Sequence, residues 1–176
     1  ELLKSLQAQF GMAIALDENT LAVGAPREDS SAVTVNGDQG DDSANASGAA
    51  YVFVRNGTTW TQQQMLKANN VSANDRFGWS VSIEGDRVLV GSIYEDTTKN
   101  NSGSVYVFER SGTSWSQTAR FQANDVHNSD HFGFYVAQSG NTALIGSPHD
   151  DDGGDQAILQ VVPRCTHPHK TTPTLT

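Results

Sequence analysis

A Phe-Gly pair occurs three times in this chain. Each time a second Gly, set in a short apolar run, follows the Phe by 14 residues: Phe10 to Gly24, Phe77 to Gly91 and Phe132 to Gly146. A unit recurring in that register cannot bury its own apolar face, so the chain must fold as modules stacked on one another. Two further spacings agree. Tyr51 to Trp60 and Tyr106 to Trp115 are both 9 residues, and Trp60 to Phe77 and Trp115 to Phe132 are both 17. The first unit is 67 residues long and the second 55, and the whole difference falls between Gly24 and Tyr51, a 12-residue loop insertion.

Each unit reads as four strands. Residues 12–16 and 79–83 run apolar or alternate, 21–25 and 88–92 form short Leu/Val stretches, 49–54 and 104–108 are rich in aromatic and β-branched residues, and a fourth strand runs from the Trp through 60–66 or 115–121. Turn residues separate them: Asp17-Glu18-Asn19, Glu84-Gly85-Asp86 and Ser139-Gly140-Asn141 after the first strand, Asn56-Gly57 and Ser111-Gly112 after the third. No window carries the 3.6-residue period of an amphipathic helix. Strands two and three are apolar at consecutive positions, which predicts sheets covered on both faces. Four-stranded sheets of that kind at a fixed period fit the blades of a β-propeller better than a β-sandwich or a β-solenoid.

The residues also carry a family resemblance. Phe10-Gly11 with Val23 to Pro26, and the weaker copies Phe77-Gly78 with Val90-Gly91-Ser92 and Phe132-Gly133 with Ile145 to Pro148, resemble the FG-GAP repeat. The match covers about residues 8–162 and looks most similar to the bacterial branch of the family, which also builds the propeller of integrin α-subunits. The resemblance implies blades that bind partners outside the cell, and implies no single activity.

The expected fold is thus all-β, a partial β-propeller of about three four-stranded antiparallel FG-GAP blades. Residues 1–9 form a strand or loop completing a blade, 10–65 the first blade with its insertion, 66–120 the second, 121–162 an incomplete third and 163–176 a disordered tail rich in Pro and Thr. Propellers close with about four to eight blades. Three cannot encircle an axis, so the chain is expected to be part of a longer array or to associate through its blade edges and open faces into a ring or filament.

Composition narrows the partners. The net charge of −9 disfavours nucleic acid and anionic membrane surfaces, and no apolar stretch approaches the length of a membrane span. Protein, glycan or self-association remain as partners. The single Cys165 excludes an intrachain disulfide. The expected localisation is extracellular or cell-surface, with no signal peptide at the given start. Four Asn-X-Ser/Thr triplets, at Asn45, Asn56, Asn70 and Asn100, fall in predicted loops.

The acidic residues recur in register: Glu28-Asp29, Glu95-Asp96 and Asp150-Asp151, each shortly after the Gly-Ala or Gly-Ser segment, while the insertion adds Asp38, Asp41 and Asp42. Carboxylates gathered on one rim are candidate Ca2+ ligands, since calcium takes six to eight oxygens. The competing reading is that they cap turns by accepting backbone N–H bonds. In integrins the resemblance would place calcium in a loop between the first two strands. Here that place holds only the short turns Asp17–Thr20, Glu84–Asp86 and Ser139–Asn141, so that site does not carry over. Asp75 and Asp130, two residues before a Phe, are expected to bond backbone at strand entry.

Phe10, Phe77, Phe132, Tyr51 and Tyr106 are expected between blades, as is Trp79. Trp60 and Trp115 read either as packing residues or as sugar-stacking platforms. No GxSxG, HExxH, P-loop or paired-Cys motif is present, and His127, His131, His149, His167 and His169 lack metal-ligand spacing. A non-catalytic module is the expectation, with a glycan-binding propeller and a polysaccharide-acting enzyme as alternatives.

Overall fold

The structure, a computed structural model, describes residues 7–32, 36–38, 40–150 and 157–161, the last as backbone. Eleven strands run through them: β1 (Ala13–Asp17), β2 (Thr20–Ala25), β3 (Ala49–Asn56), β4 (Thr59–Leu66), β5 (Phe77–Glu84), β6 (Arg87–Ser92), β7 (Ser104–Ser111), β8 (Ser114–Phe121), β9 (Tyr135–Ser139), β10 (Thr142–Gly146) and β11 (Ala157–Val161). They form antiparallel sheets in the orders β1-β2-β3-β4, β5-β6-β7-β8 and β9-β10-β11. The chain is all-β, a partial propeller of three successive meander blades. Equivalent blade positions share even their irregularities. A bulge lies between Val52 and Phe53 in β3 and another, 55 residues on, between Val107 and Phe108 in β7.

The apolar runs are explained by what stands beside each blade. β5 packs on β1 and β2 on one side and on β9 on the other. Blade 2 is therefore covered twice, and every position of β6 is buried. Blades 1 and 3 each have one neighbour among the described residues, and β1, β9 and β10 accordingly alternate. One core joins Ala22, Ala50 and Leu66 of blade 1 to Phe77, Val81, Ile83, Val90 and Tyr106 of blade 2. A second joins Leu89, Val105 and Val107 to Phe132, Ala143 and Ile145 of blade 3.

The Phe-Gly spacing has a steric cause. Gly78 adopts φ +91°, a conformation that side chains rarely take, and its carbonyl lies where a Cβ on Gly24 of the preceding blade would stand. Gly133, at φ +92°, meets Gly91 in the same way. Beside each contact a parallel bridge forms, Gly48 with Phe77 and Gly103 with Phe132. The Phe77 N–H donates to Ser47 O at 3.0 Å and the Phe132 N–H to Ser102 O at 2.8 Å. Each blade thus presents a Phe-Gly on one face and a small-residue Gly on the other, and two blades dock backbone to backbone.

Phe10 departs from the expected core position. It packs on Tyr51 and Phe53 of its own blade as Phe77 packs on Tyr106 and Phe108, yet it is 45 % exposed where Phe77 and Phe132 are fully buried, because among the described residues no neighbouring blade covers it. Residues 1–6, 151–156 and 162–176 lie outside the described residues, and with them most of the expected blade-completing N-terminus, Asp151 and the tail.

Candidate functional site

The in-register acids occupy two kinds of place. The first of each pair is interior: Glu28, Glu95 and Asp150 are all buried. Glu28 accepts from Lys67 Nζ at 2.9 Å, and the same ammonium donates to Ser30 O, Ser47 Oγ and Gly48 O at 2.6–2.9 Å. Lys67 is almost wholly buried; that burial lowers its pKa, while Glu28 pulls it back up. Glu95 is held by Arg120 Nη1 at 3.1 Å, Ser104 Oγ at 2.8 Å, Gln122 Nε2 at 3.3 Å, Asn70 Nδ2 at 3.0 Å and the Thr97 backbone and hydroxyl. In both blades a cation from the end of the fourth strand or just beyond it neutralises the buried acid.

The second acids lie nearer the surface. Asp29 Oδ1 accepts the Ala46 N–H at 2.7 Å, and Asp96 is exposed. In the insertion Asp38 accepts from the Gly40 N–H, and Asp41 accepts from the Ser31 N–H and hydroxyl and from Ser43. The Ser31 hydroxyl and N–H, with Ser43, hold the Asp41 carboxyl well below the usual carboxylate range. Asp42 is exposed. Asn36 exchanges bonds with Met65, its N–H to Met65 O and the Met65 N–H to its own Oδ1, so the insertion covers part of β4. Among the described residues no three Asp, Glu, His or Cys side chains are gathered closely enough to hold a metal ion.

Asp75 and Asp130 do bond backbone at strand entry, accepting the Ser72 N–H at 2.8 Å and the His127 N–H at 2.6 Å. Burial pushes the Asp75 carboxyl up to about 7, against the pull of that N–H. The triplets at Asn45 and Asn100 sit in equivalent positions, and their Ser47 and Ser102 are buried in the lead-in to the third strand. Packing of the repeat accounts for both triplets.

Three arrangements were not anticipated. The first is the buried cation; the recurrence of a basic residue, Lys67 or Arg120, at the end of the fourth strand was its only trace. The second is a fastener between blades: Asp17 Oδ2 accepts the Gly85 N–H at 2.6 Å, and Glu84 Oε1, at the equivalent position, accepts the Gly140 N–H at 3.0 Å. The third brings His131 and His149 together from different loops with Nδ1 atoms 2.7 Å apart, beside Tyr94 and Phe134. Burial, then the neighbouring His149, lowers the His131 pKa.

Most of the exposed large apolar side chains among the described residues lie elsewhere, on blade 1. Ile14 is 70 % exposed where its blade-2 equivalent Val81 is 8 %, and Leu16 is 63 % where Ile83 is 9 %. Trp60 is 39 % exposed with Arg55 over its ring, whereas Trp115 is 2 % exposed and exchanges hydrogen bonds with Gln63 and Gln64 of β4. With Phe10 and Met12 these side chains make one open face on blade 1. Tyr135 and Leu144 stand exposed on the opposite end of the stack, on blade 3. Exposed apolar side chains grouped on one face, unlike single scattered ones, mark a place where something docks. Among the described residues no helix is long and apolar enough to cross a membrane.

The family model for the FG-GAP repeat matches residues 5–53, 60–108 and 115–158, most of the chain. No curated protein gives a significant match.

Proposed function

Because the chain belongs to the FG-GAP repeat family, we propose that it is a non-catalytic interaction module acting outside the cell, in adhesion or assembly, and docking a protein partner on the open faces of its blade stack. The observation that carries this reading is the contrast between Ile14 and Leu16 and their buried equivalents Val81 and Ile83. A surface of that composition, left in water, costs roughly 25 cal/mol for every Å² that a partner would cover. The acidic loops serve in this reading as caps and buried ion pairs, with calcium dispensable to the fold.

The glycan-binding alternative draws on Trp60. Its covered equivalent Trp115 ties the exposure of Trp60 to the open blade face, and that favours packing over sugar stacking. The test uses an apolar reporter dye at high dilution, a glycan array and a polysaccharide-turnover assay. Wild type is expected to bind the dye and Ile14→Asp/Leu16→Asp to lose most of that signal, with no glycan retained and no polysaccharide cleaved. Glycan binding that survives the double substitution would sink the proposal in favour of a lectin.

A further inference from the structure

The open face of blade 1 repeats, position for position, a face that this chain covers twice. Phe77, Val81 and Ile83 on blade 2 are buried by blade 1, and Phe132 on blade 3 is buried against blade 2. What covers them each time is the far face of the preceding blade, centred on Gly24 or Gly91. Among the described residues a third such far face is left over on blade 3, with Gly146 in the same register.

Gly146 is informative because nothing in its own blade calls for glycine. Its φ lies outside the left-handed region, and an added Cβ would meet Tyr135 at an ordinary 3.5 Å. Gly24 and Gly91 are glycines because the Phe-Gly carbonyl of the next blade occupies the Cβ position. Gly11 is the complement: at φ +90° it holds the Phe-Gly conformation, with nothing within 4 Å of its Cβ position. Gly11 and Gly146 are the two halves of a junction that is not made among the described residues.

Resting on the interaction-module reading, we infer that the partner is a second copy of this chain, joined head to tail, the Phe10-Gly11 face of blade 1 on the Gly146 face of blade 3. Side-chain volumes are compatible. At the position of Ala13 and Ser80, blade 3 carries the larger Tyr135, and the residue after Phe-Gly, Trp79 and Phe134 in the covered blades, is the smaller, unbranched Met12. For the 176-residue chain, two copies joined this way make two identical junctions and leave neither of these faces open, so the heterologous contact ends in a ring rather than a fibre. Ser139 replaces the longer fasteners Asp17 and Glu84, and Glu18, at φ +47°, replaces Gly85. The intermolecular junction is therefore weaker than the internal ones, and association depends on concentration.

Sedimentation of the full chain from nanomolar to high micromolar concentration tests this. The expected result is a discrete species of twice 18.9 kDa that Gly146→Ala weakens about tenfold or more, a loss of about 1.4 kcal/mol. Ile14→Asp should do the same, each variant melting as the dilute wild type does. A wild-type monomer at every concentration, a different stoichiometry, or association untouched by Gly146→Ala overturns the inference. A monomer that still binds the apolar dye through Ile14 and Leu16 overturns it while leaving the docking face in place, whereas loss of both removes the interaction reading as well.

Discussion

Lys67 carries its charge into the interior of blade 1, where four acceptors surround it. A buried pair of this kind adds little net stability over a well-packed apolar pair, but losing one partner strands the other charge. Lys67→Met is expected to destabilise the chain by about 3–5 kcal/mol in urea unfolding. The double variant with Glu28→Gln should recover part of that loss. Asp75 makes a pH-dependent contribution. Its folded pKa of about 7 lies above the ordinary 3.8, so between those values the folded state holds a proton that the unfolded chain has released. Its contribution is complete below about pH 4 and is lost as pH rises through 7, with a slope of at most about 1.4 kcal/mol per pH unit. Unfolding free energies of wild type and Asp75→Asn, compared from pH 4 to 8, should diverge in that window, with the variant gaining relative to wild type as pH rises. A constant difference would contradict the assignment.

At the scale of elements, strand positions were readable because period, turn chemistry and spacing agreed. Residues 88–92, for example, were expected in a strand covered on both faces, and β6 is one. The same reading overreached for Phe10, since it assumed a neighbour for every blade. Position in the stack, which the repeat pattern does not encode, decides whether an apolar residue is buried. The glycines report that position. Gly91→Ala places a methyl against the Gly133 carbonyl and should cost about 1–3 kcal/mol by overpacking, whereas Gly146→Ala in a dilute monomer should be near neutral. Thermal unfolding of the two variants side by side measures the difference, and equal losses would mean that the junction is not the cause.

For the whole molecule, the acidic surface and the buried acids have separate consequences. The net charge of −9 opposes non-specific association of the open faces through self-repulsion. The described carboxylates on the loop rim are held mostly by N–H and hydroxyl donors, Lys67 and Arg120. Chelation with EDTA is accordingly expected to leave the unfolding temperature within about a degree, as measured calorimetrically with and without added calcium. A drop of several degrees on chelation, reversed by calcium, would assign the acidic loops to a metal.

By itself the sequence determined the number of blades, their strands and turns and the residues at each equivalent position, because those follow from local periodicity and from spacings repeated along the chain. It could not tell calcium ligands from caps in the Glu28, Asp29, Glu95 and Asp96 set, since a carboxylate's partner depends on which donors the fold brings within 3 Å. Only the tertiary structure placed Lys67 against Glu28 across 39 residues and His131 against His149. It also set Gly78 on Gly24 between blades, and separated the faces that are covered from those that are open. Those contacts join residues distant in sequence, and a one-dimensional pattern records which residue types recur, not what the stack puts beside them.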